Sequence, residues 1–172
     1  MTKVRVFADT NVILEAFRTR TWTAITKHYS VETVEKCVEE TLSGNPDSVG
    51  HIAVSPEEFL AGLSHRHGVT SSDIAKLVLG KPSCQILDDG EKHLLAWIAC
   101  SGLQPSAAVC VTTADKAALV ALKDIGWLDR AVSLEELTRV AGVARRNLAS
   151  LKTQYQESWL SQQKMKTHLG IQ

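Results

Sequence analysis

Asp9 stands directly behind the short apolar run Val4 to Ala8, and Asp115 stands four residues beyond the end of another, Ala108 to Val111. Asp9-Thr10-Asn11 follows the first run at once, and Thr112-Thr113-Ala114-Asp115 closes the second. Two carboxylates brought to neighbouring strand ends repel each other unless a proton or a cation sits between them. Hard divalent ions such as Mg2+ and Mn2+ take oxygen ligands and usually keep several waters. Glu91, behind Asp88-Asp89-Gly90, and the group Glu35, Glu39 and Glu40 offer further acids near helix starts. A site of this kind activates a water and neutralises charge on a phosphoryl group in flight. The plainer reading makes Asp9 and Asp115 helix caps, Asp88 and Asp89 caps and turn formers, Glu39-Glu40 a solvated helix face and Asn11 a turn residue.

The elements that must position these acids follow from hydrophobic period. Val12, Ile13, Leu14, Ala16 and Phe17 recur as on a helix, so the first apolar run reads as a buried strand feeding a helix. Residues 22 to 29 fit neither pattern, and Tyr29 to Thr33 reads as a second strand. Thr33 is the expected cap of the next helix, which carries Val34, Cys37, Val38, Thr41 and Leu42 and ends at Gly44-Asn45-Pro46-Asp47. Residues 51 to 54 read as a short extended piece. Ser55 caps a further helix, with Pro56 at its first position and Glu58 completing a capping box. Ser71 or Ser72 opens a helix to about Leu79, stopped by Gly80-Lys81-Pro82. Asp88 or Asp89 caps one from Gly90 to Cys100, with an apolar stripe of Leu94, Leu95, Trp97 and Ile98. The helix Lys116 to Asp124 follows the strand that ends at Asp115, and a short edge strand is expected near Ala131-Val132. Ser133 and Glu136 form a capping box for a tail that is helical to about Leu169, with a break at Gly142.

Strands alternating with helices argue for a mainly parallel sheet covered by helices, with the active site at the carboxyl ends of the strands. That topology puts Asp9 and Asp115 on one sheet edge. Residues 1–172 read as a single domain, with 134–172 a helical C-terminal extension. Apolar residues make up 44% and charged residues 22%, the balance of a globular protein. Neither a signal peptide nor a membrane span is expected. Cys37, Cys84, Cys100 and Cys110 have no metal-knuckle or redox spacing and read as reduced cysteines of a cytoplasmic protein, two or three of them buried. Nineteen basic residues balance nineteen acidic ones. A protein holding nucleic acid by backbone charge alone is normally more basic, but a carboxylate nuclease escapes that rule.

The opening Val6-Phe7-Ala8-Asp9-Thr10-Asn11-Val12-Ile13-Leu14 resembles the start of PIN-domain proteins of the VapC-like kind. Thr112-Thr113-Ala114-Asp115 resembles a later motif of that family, and Leu87-Asp88-Asp89-Gly90-Glu91-Lys92-His93-Leu94-Leu95-Ala96 its acid-bearing helix start in the Gly-Glu variant. Cys37-Val38-Glu39-Glu40 looks like the helix that supplies the remaining acid. The four motifs occur in order across residues 4 to about 133. The resemblance implies a three-layer, Rossmann-like α/β/α domain that cleaves RNA with Mg2+ or Mn2+. It also implies a homodimer and, for many members, a toxin role opposed by a cognate antitoxin. Carried over by position, Asp9, Glu40, Glu91 and Asp115 are the catalytic acids, with Asp9, Glu91 and Asp115 on the metal and Asn11 and Thr113 as polar supports. Glu39 and Glu40 point about 100° apart on a helix. Helical phase relative to Cys37 favours Glu40, with Glu39 the alternative.

His93 lies about 200° round the helix from Glu91 and reads as a packed or surface residue. Alternate positions do not converge on a helix, so His65-Arg66-His67 reads as a surface loop or helix end, with an RNA or phosphate contact through Arg66 as the sharper option. Arg145 and Arg146 in the tail are further candidate contacts to RNA phosphates. Trp159 and Leu160 are expected to dock on the core or on a second subunit. A noncatalytic RNA-binding or protein-interaction module on the same scaffold is the rival reading. A nucleotide-driven enzyme lacks the Gly-rich loop it would need after the first strand. A phosphatase with Asp9 as nucleophile would want an acid where Asn11 stands.

Overall fold

Strand β1 (Arg5–Ala8) is buried on both faces, because alternate side chains enter different apolar layers: Val6 and Ala8 one, Phe7 the other. The computed structural model describes residues 2–171. After β1 come α1 (Thr10–Arg18), α2 (Trp22–His28), β2 (Ser30–Val34), α3 (Glu35–Leu42), α4 (Pro56–Gly62) and β3 (His65–His67). Then follow α5 (Ser71–Gly80), α6 (Asp89–Cys100), β4 (Val109–Thr112) and α7 (Lys116–Asp124). The tail forms α8 (Leu134–Val140), α9 (Arg145–Leu148) and α10 (Glu157–Leu169).

All four strands are parallel, in the order β3-β2-β1-β4. Phe7 pairs with Glu32 on one side and Val111 on the other, and Ala8 pairs with Thr112. On one face Phe7, Val109 and Val111 pack against Leu77 of α5, Leu94, Leu95 and Ile98 of α6, Leu119 and Leu122 of α7 and Leu160 of α10. On the other, Val6, Ala8, Val31 and Cys110 meet Val12, Ile13 and Ala16 of α1, Ile25 of α2, Phe59 of α4 and Leu134 and Leu137 of α8. The fold is a three-layer α/β/α arrangement around a wholly parallel sheet. The strand order runs outward from β1 to β3 and then jumps back to β4, so the direction reverses between β1 and β4. In parallel sheets the crevice outside the carboxyl ends at such a reversal is the ligand site.

Several local expectations are corrected. Residues 22 to 28 are helical, since Trp22 and Ile25 bury on the α1 side of the sheet. His65–His67 is an edge strand, held by pairing to β2 rather than by its own sequence preference. Residues 51–54 form no regular element, and Ala131 contributes only a single bridge to Val111. Thr33 does not cap α3: its hydroxyl donates to the Ala8 carbonyl at 2.7 Å, tying β2 to β1. Ser55 does cap α4, but Glu58 accepts from Thr23 instead of closing the box. A complete capping box forms instead at Thr70 and Asp73, at the start of α5. The expected break at Gly142 is present, with φ +82° just beyond α8.

The C-terminal extension is bonded to α1. Buried Glu15 accepts from Arg18 Nε at 2.7 Å and Nη2 at 2.6 Å and from the Lys152 N–H at 3.0 Å, while Arg18 also donates to the Ser150 carbonyl. Leu160 packs in the chain's own core and Trp159 rests against it. Cys37, Cys84 and Cys110 are buried, Cys100 is exposed, and all four are free thiols. Among the described residues no helix is long and apolar enough to cross a membrane.

Thr112 faces the apolar layer beneath α1 and α8, and its buried hydroxyl has no hydrogen-bond partner. Thr112→Val keeps the shape and removes the orphan donor. It is expected to stabilise the protein by about 1 kcal/mol, read as a melting temperature higher by roughly 2–4 °C.

Candidate active site

Three helices begin at the crevice, and each is capped by an aspartate. Asp9 Oδ1 accepts the Val12 N–H at 2.9 Å, Asp88 Oδ1 the Glu91 N–H at 2.9 Å and Asp115 Oδ1 the Ala118 N–H at 3.0 Å. A helix start offers unpaired N–H groups and a partial positive charge, which is why short acids settle there. The capping reading of Asp9, Asp88 and Asp115 is therefore correct, yet incomplete. Asp9 is 1% exposed, and its second oxygen, Oδ2, has no hydrogen-bond partner. Glu91, 5% exposed in the first turn of α6, has an unpartnered buried Oε1. A buried carboxylate oxygen without a partner costs free energy that a helix cap does not require.

The electrostatics join these groups. Asp9 is raised to about 6: burial does most of this, the Thr113 side chain and the Val12 N–H oppose it, and the charges of Asp88 and Asp115 add to it. Glu91 is pushed up to about 9, first by burial and then by Asp115, Asp9 and Asp88. Asp88 and Asp115 thus act as like charges on both Asp9 and Glu91, which places the four acids close together. Thr113, 6% exposed, holds the Asp115 backbone N–H through its hydroxyl at 3.2 Å.

Glu40 stands to one side. Its Oε2 accepts the Thr10 hydroxyl at 2.7 Å and lies against Gly90 at the start of α6. Buried Cys37 is near both this acid and Asp9: its thiol is raised to about 12, chiefly by burial, with the charges of Asp9 and Glu40 adding. Glu39 points away, 66% exposed and paired with Lys36 at 3.1 Å, and Glu35 is exposed near Arg66. Of the two neighbouring acids, Glu40 is the one turned inward. A side chain at Gly90 would overlap Glu40 Oε2 and crowd Thr10 Oγ1 at 3.2 Å. Gly90→Ala is expected to displace Glu40 from the Thr10 hydroxyl and to lower the melting temperature by roughly 2–4 °C, measured by scanning fluorimetry.

Other sequence candidates lie apart. Asn11 is exposed, and its carbonyl accepts from Tyr155 Oη at 3.3 Å; the hydroxyl that supports an acid belongs to Thr10. Arg66 faces Glu35 at 4.0 Å on the β3 edge, and Arg145 and Arg146 are exposed on α9. His93 bonds the Asp89 carbonyl through Nδ1 at 2.7 Å within α6. Sequence reasoning missed Asp88 and Thr10 as parts of the site. The Asp88–Glu91 spacing of three was the available signal, since a cap and the acid three residues on share a helix start.

Among the described residues, no three His, Cys, Asp or Glu side chains are drawn together tightly enough to hold a metal ion as they stand. The donor chemistry nonetheless fits a hard divalent cation: oxygen donors only, two of them buried without partners, on carboxylates that repel one another. Comparison with known protein families, with curated proteins and with solved structures finds no match.

Proposed function

We propose that this chain is a divalent-metal-dependent ribonuclease of the PIN-domain kind, hydrolysing RNA phosphodiester bonds. The observation that carries the reading is the pair of buried orphan oxygens, Asp9 Oδ2 and Glu91 Oε1, in a crevice shared with Asp88 and Asp115. Asp9, Glu91 and Asp115 would hold Mg2+ or Mn2+, with Asp88 beside them and Glu40 at the rim. When bound, the ion supplies Lewis-acid polarisation of a phosphoryl oxygen and an acidified water.

The chain's own groups have distinct tasks. The Val12 N–H fixes Asp9 through Oδ1 and leaves Oδ2 buried without a partner. Glu91, raised to about 9, keeps a proton at neutral pH among the neighbouring carboxylates, and as an ionised ligand it would help to hold the cation. Thr10 holds Glu40 and Thr113 holds the turn before Asp115. The starts of α1, α6 and α7 supply partial positive charge toward an anionic backbone phosphate. The expected products carry a 5′-phosphate and a 3′-hydroxyl. A homodimer and a cognate antitoxin belong to the same proposal, supported by the motif resemblance in residues 4 to 133, and a cytoplasmic setting is supported by the four free thiols.

Purified protein incubated with mixed single-stranded and structured RNAs tests this. Cleavage is expected with Mn2+ or Mg2+ and none with EDTA. A folded protein that cuts no RNA under either metal would favour a noncatalytic module on the same scaffold.

A further inference from the structure

His65 and His67 take no part in the carboxylate crevice. On β3 they point to the same sheet face as Glu32 of β2 and Arg5 and Phe7 of β1, since alternate strand positions share a face and Glu32 pairs in register with both Phe7 and His65. Glu32 is 1% exposed. Its Oε1 accepts Arg5 Nε at 2.6 Å, its Oε2 accepts Arg5 Nη2 at 2.9 Å, and His67 Nε2 lies 2.7 Å from Oε2. Burial works against this carboxylate, but Arg5 and His67 outweigh it and hold its pKa below the usual glutamate value.

Arg5 is held on a third side, its guanidinium carbon 5.2 Å from the centre of the Phe7 ring. The side chain is still 34% exposed. Glu32 engages Nε and Nη2 of this guanidinium, which leaves Nη1 as the nitrogen to offer a ligand. Beside it an aromatic column leads from core to surface. Phe7 and Trp97 lie 5.0 Å apart, Trp97 and His67 are stacked at 3.8 Å, and His67 and His65 are parallel within 5° at 5.9 Å. His65, the last ring, is exposed. Arg5, His65 and His67 line an open cleft of about 750 Å³, together with Ser30 and Ser64. The cleft lies at the amino ends of the strands, the opposite sheet edge from Asp9 and Asp115.

We propose that this cleft binds a phosphorylated nucleotide, its phosphate on the free edge of Arg5 with the Ser30 and Ser64 hydroxyls, its base on the His65 ring. The size suits a small ligand, since such sites run to about 300–1,000 Å³. A preorganised guanidinium loses little freedom when it meets a phosphate, and its planar fork matches the oxygens. The exposed imidazole, continuous with a stack rooted in the core, is a platform for any base. A metal ion is a poorer occupant, because Arg5 and His67 already engage both oxygens of Glu32.

Titration of the labelled protein with adenosine 5′-monophosphate, adenosine, inorganic phosphate and a short 5′-phosphorylated oligonucleotide, followed by amide NMR shifts, tests the site. Saturable shifts at Arg5, Ser30, Ser64 and His65 are expected below about 10 mM, past the ~1 mM dissociation constant of a shallow open site. His65→Ala, at an exposed position, is expected to weaken the monophosphate about tenfold and leave inorganic phosphate unchanged. Arg5→Lys keeps a charge beside Glu32 but loses the fork, and should weaken both. If Arg5→Lys unfolds, the double variant Arg5→Met/Glu32→Gln removes the facing charges while keeping a partner for His67, and should abolish phosphate binding. The relative affinities of mononucleotide and oligonucleotide say whether a free nucleotide or a strand end is the source. Absence of saturable shifts in the folded wild type, shifts confined to the Asp9 crevice, or unchanged affinity in His65→Ala and the Arg5 variant would overturn the proposal.

Discussion

Asp9→Asn is expected to abolish metal-dependent RNA cleavage and, in the same molecule, to raise the melting temperature of the metal-free protein. The two effects share a cause. Asn retains an Oδ1 acceptor for the Val12 N–H and is as good an N-cap as Asp, so α1 keeps its start. What disappears is a negative charge in a buried position already crowded by Asp88 and Asp115. Burial raises the folded-state pKa of Asp9 from 3.8 to about 6, so the native state binds its proton more tightly than the unfolded chain. Stability falls as pH rises from about 4 through about 6, and above that the whole penalty, on the order of 3 kcal/mol, remains. Removing the charge should recover much of this at pH 8, roughly 5 °C by scanning fluorimetry in EDTA. Loss of a metal-holding carboxylate withdraws several kcal/mol of charge stabilisation, about 10³-fold in rate. A variant that melts lower than wild type in EDTA and still cleaves RNA would contradict both halves.

The metal-free protein should also lose stability across the neutral range, and Glu91→Gln should flatten that slope. Glu91 is raised to about 9, by burial first and by Asp115, Asp9 and Asp88 after it. The folded state therefore holds a proton that the unfolded chain has released above about 4.5, and stability declines as pH climbs from there toward 9. Glu15 and Glu32 act in the opposite sense. Burial opposes their ionisation, yet Arg18 with the Lys152 N–H, and Arg5 with His67, outweigh it and lower both pKa values. Their contribution is present above the unfolded value and is lost as pH falls through the lowered one. The melting profile in EDTA is thus expected to peak at mildly acid pH and fall on both sides. Saturating Mn2+ should lift the alkaline limb of wild type by several degrees, because an ion that binds only the folded state stabilises it. Glu91→Gln should show a flatter alkaline limb and little response to Mn2+. A wild-type profile that keeps rising to pH 9 in EDTA would remove the basis for this assignment.

The fold was legible where local signals agreed with tertiary context. Val4 to Ala8 and Ala108 to Val111 are short, apolar and followed by a cap, and both became buried strands, β1 inside the sheet and β4 at its end, with Asp9 and Asp115 beyond their carboxyl ends. The helix Lys116–Asp124 and the inward turn of Glu40 followed from cap residues and helical phase. Elsewhere the deciding forces were not local. His65–His67 has no strand-like apolar alternation; pairing to β2, the His67–Glu32 bond and the stack on Trp97 make it one. Thr33 looked like a cap, but the neighbouring Ala8 carbonyl claimed its hydroxyl. Asp88 reads as a cap or turn residue, and its spacing to Glu91 marks a helix start without revealing that this start lies near Asp9 and Asp115. Whether a helix start faces a shared crevice is a three-dimensional fact, which sequence spacing alone does not carry.

The account rests on the carboxylates of the crevice being a cation site, and Mn2+ titration by calorimetry on wild type and Asp9→Asn tests that most directly. Saturable binding to wild type, with affinity lowered at least about tenfold in the variant, is the predicted result. A folded wild type that takes up no Mn2+, or binding that Asp9→Asn leaves unchanged, would contradict it.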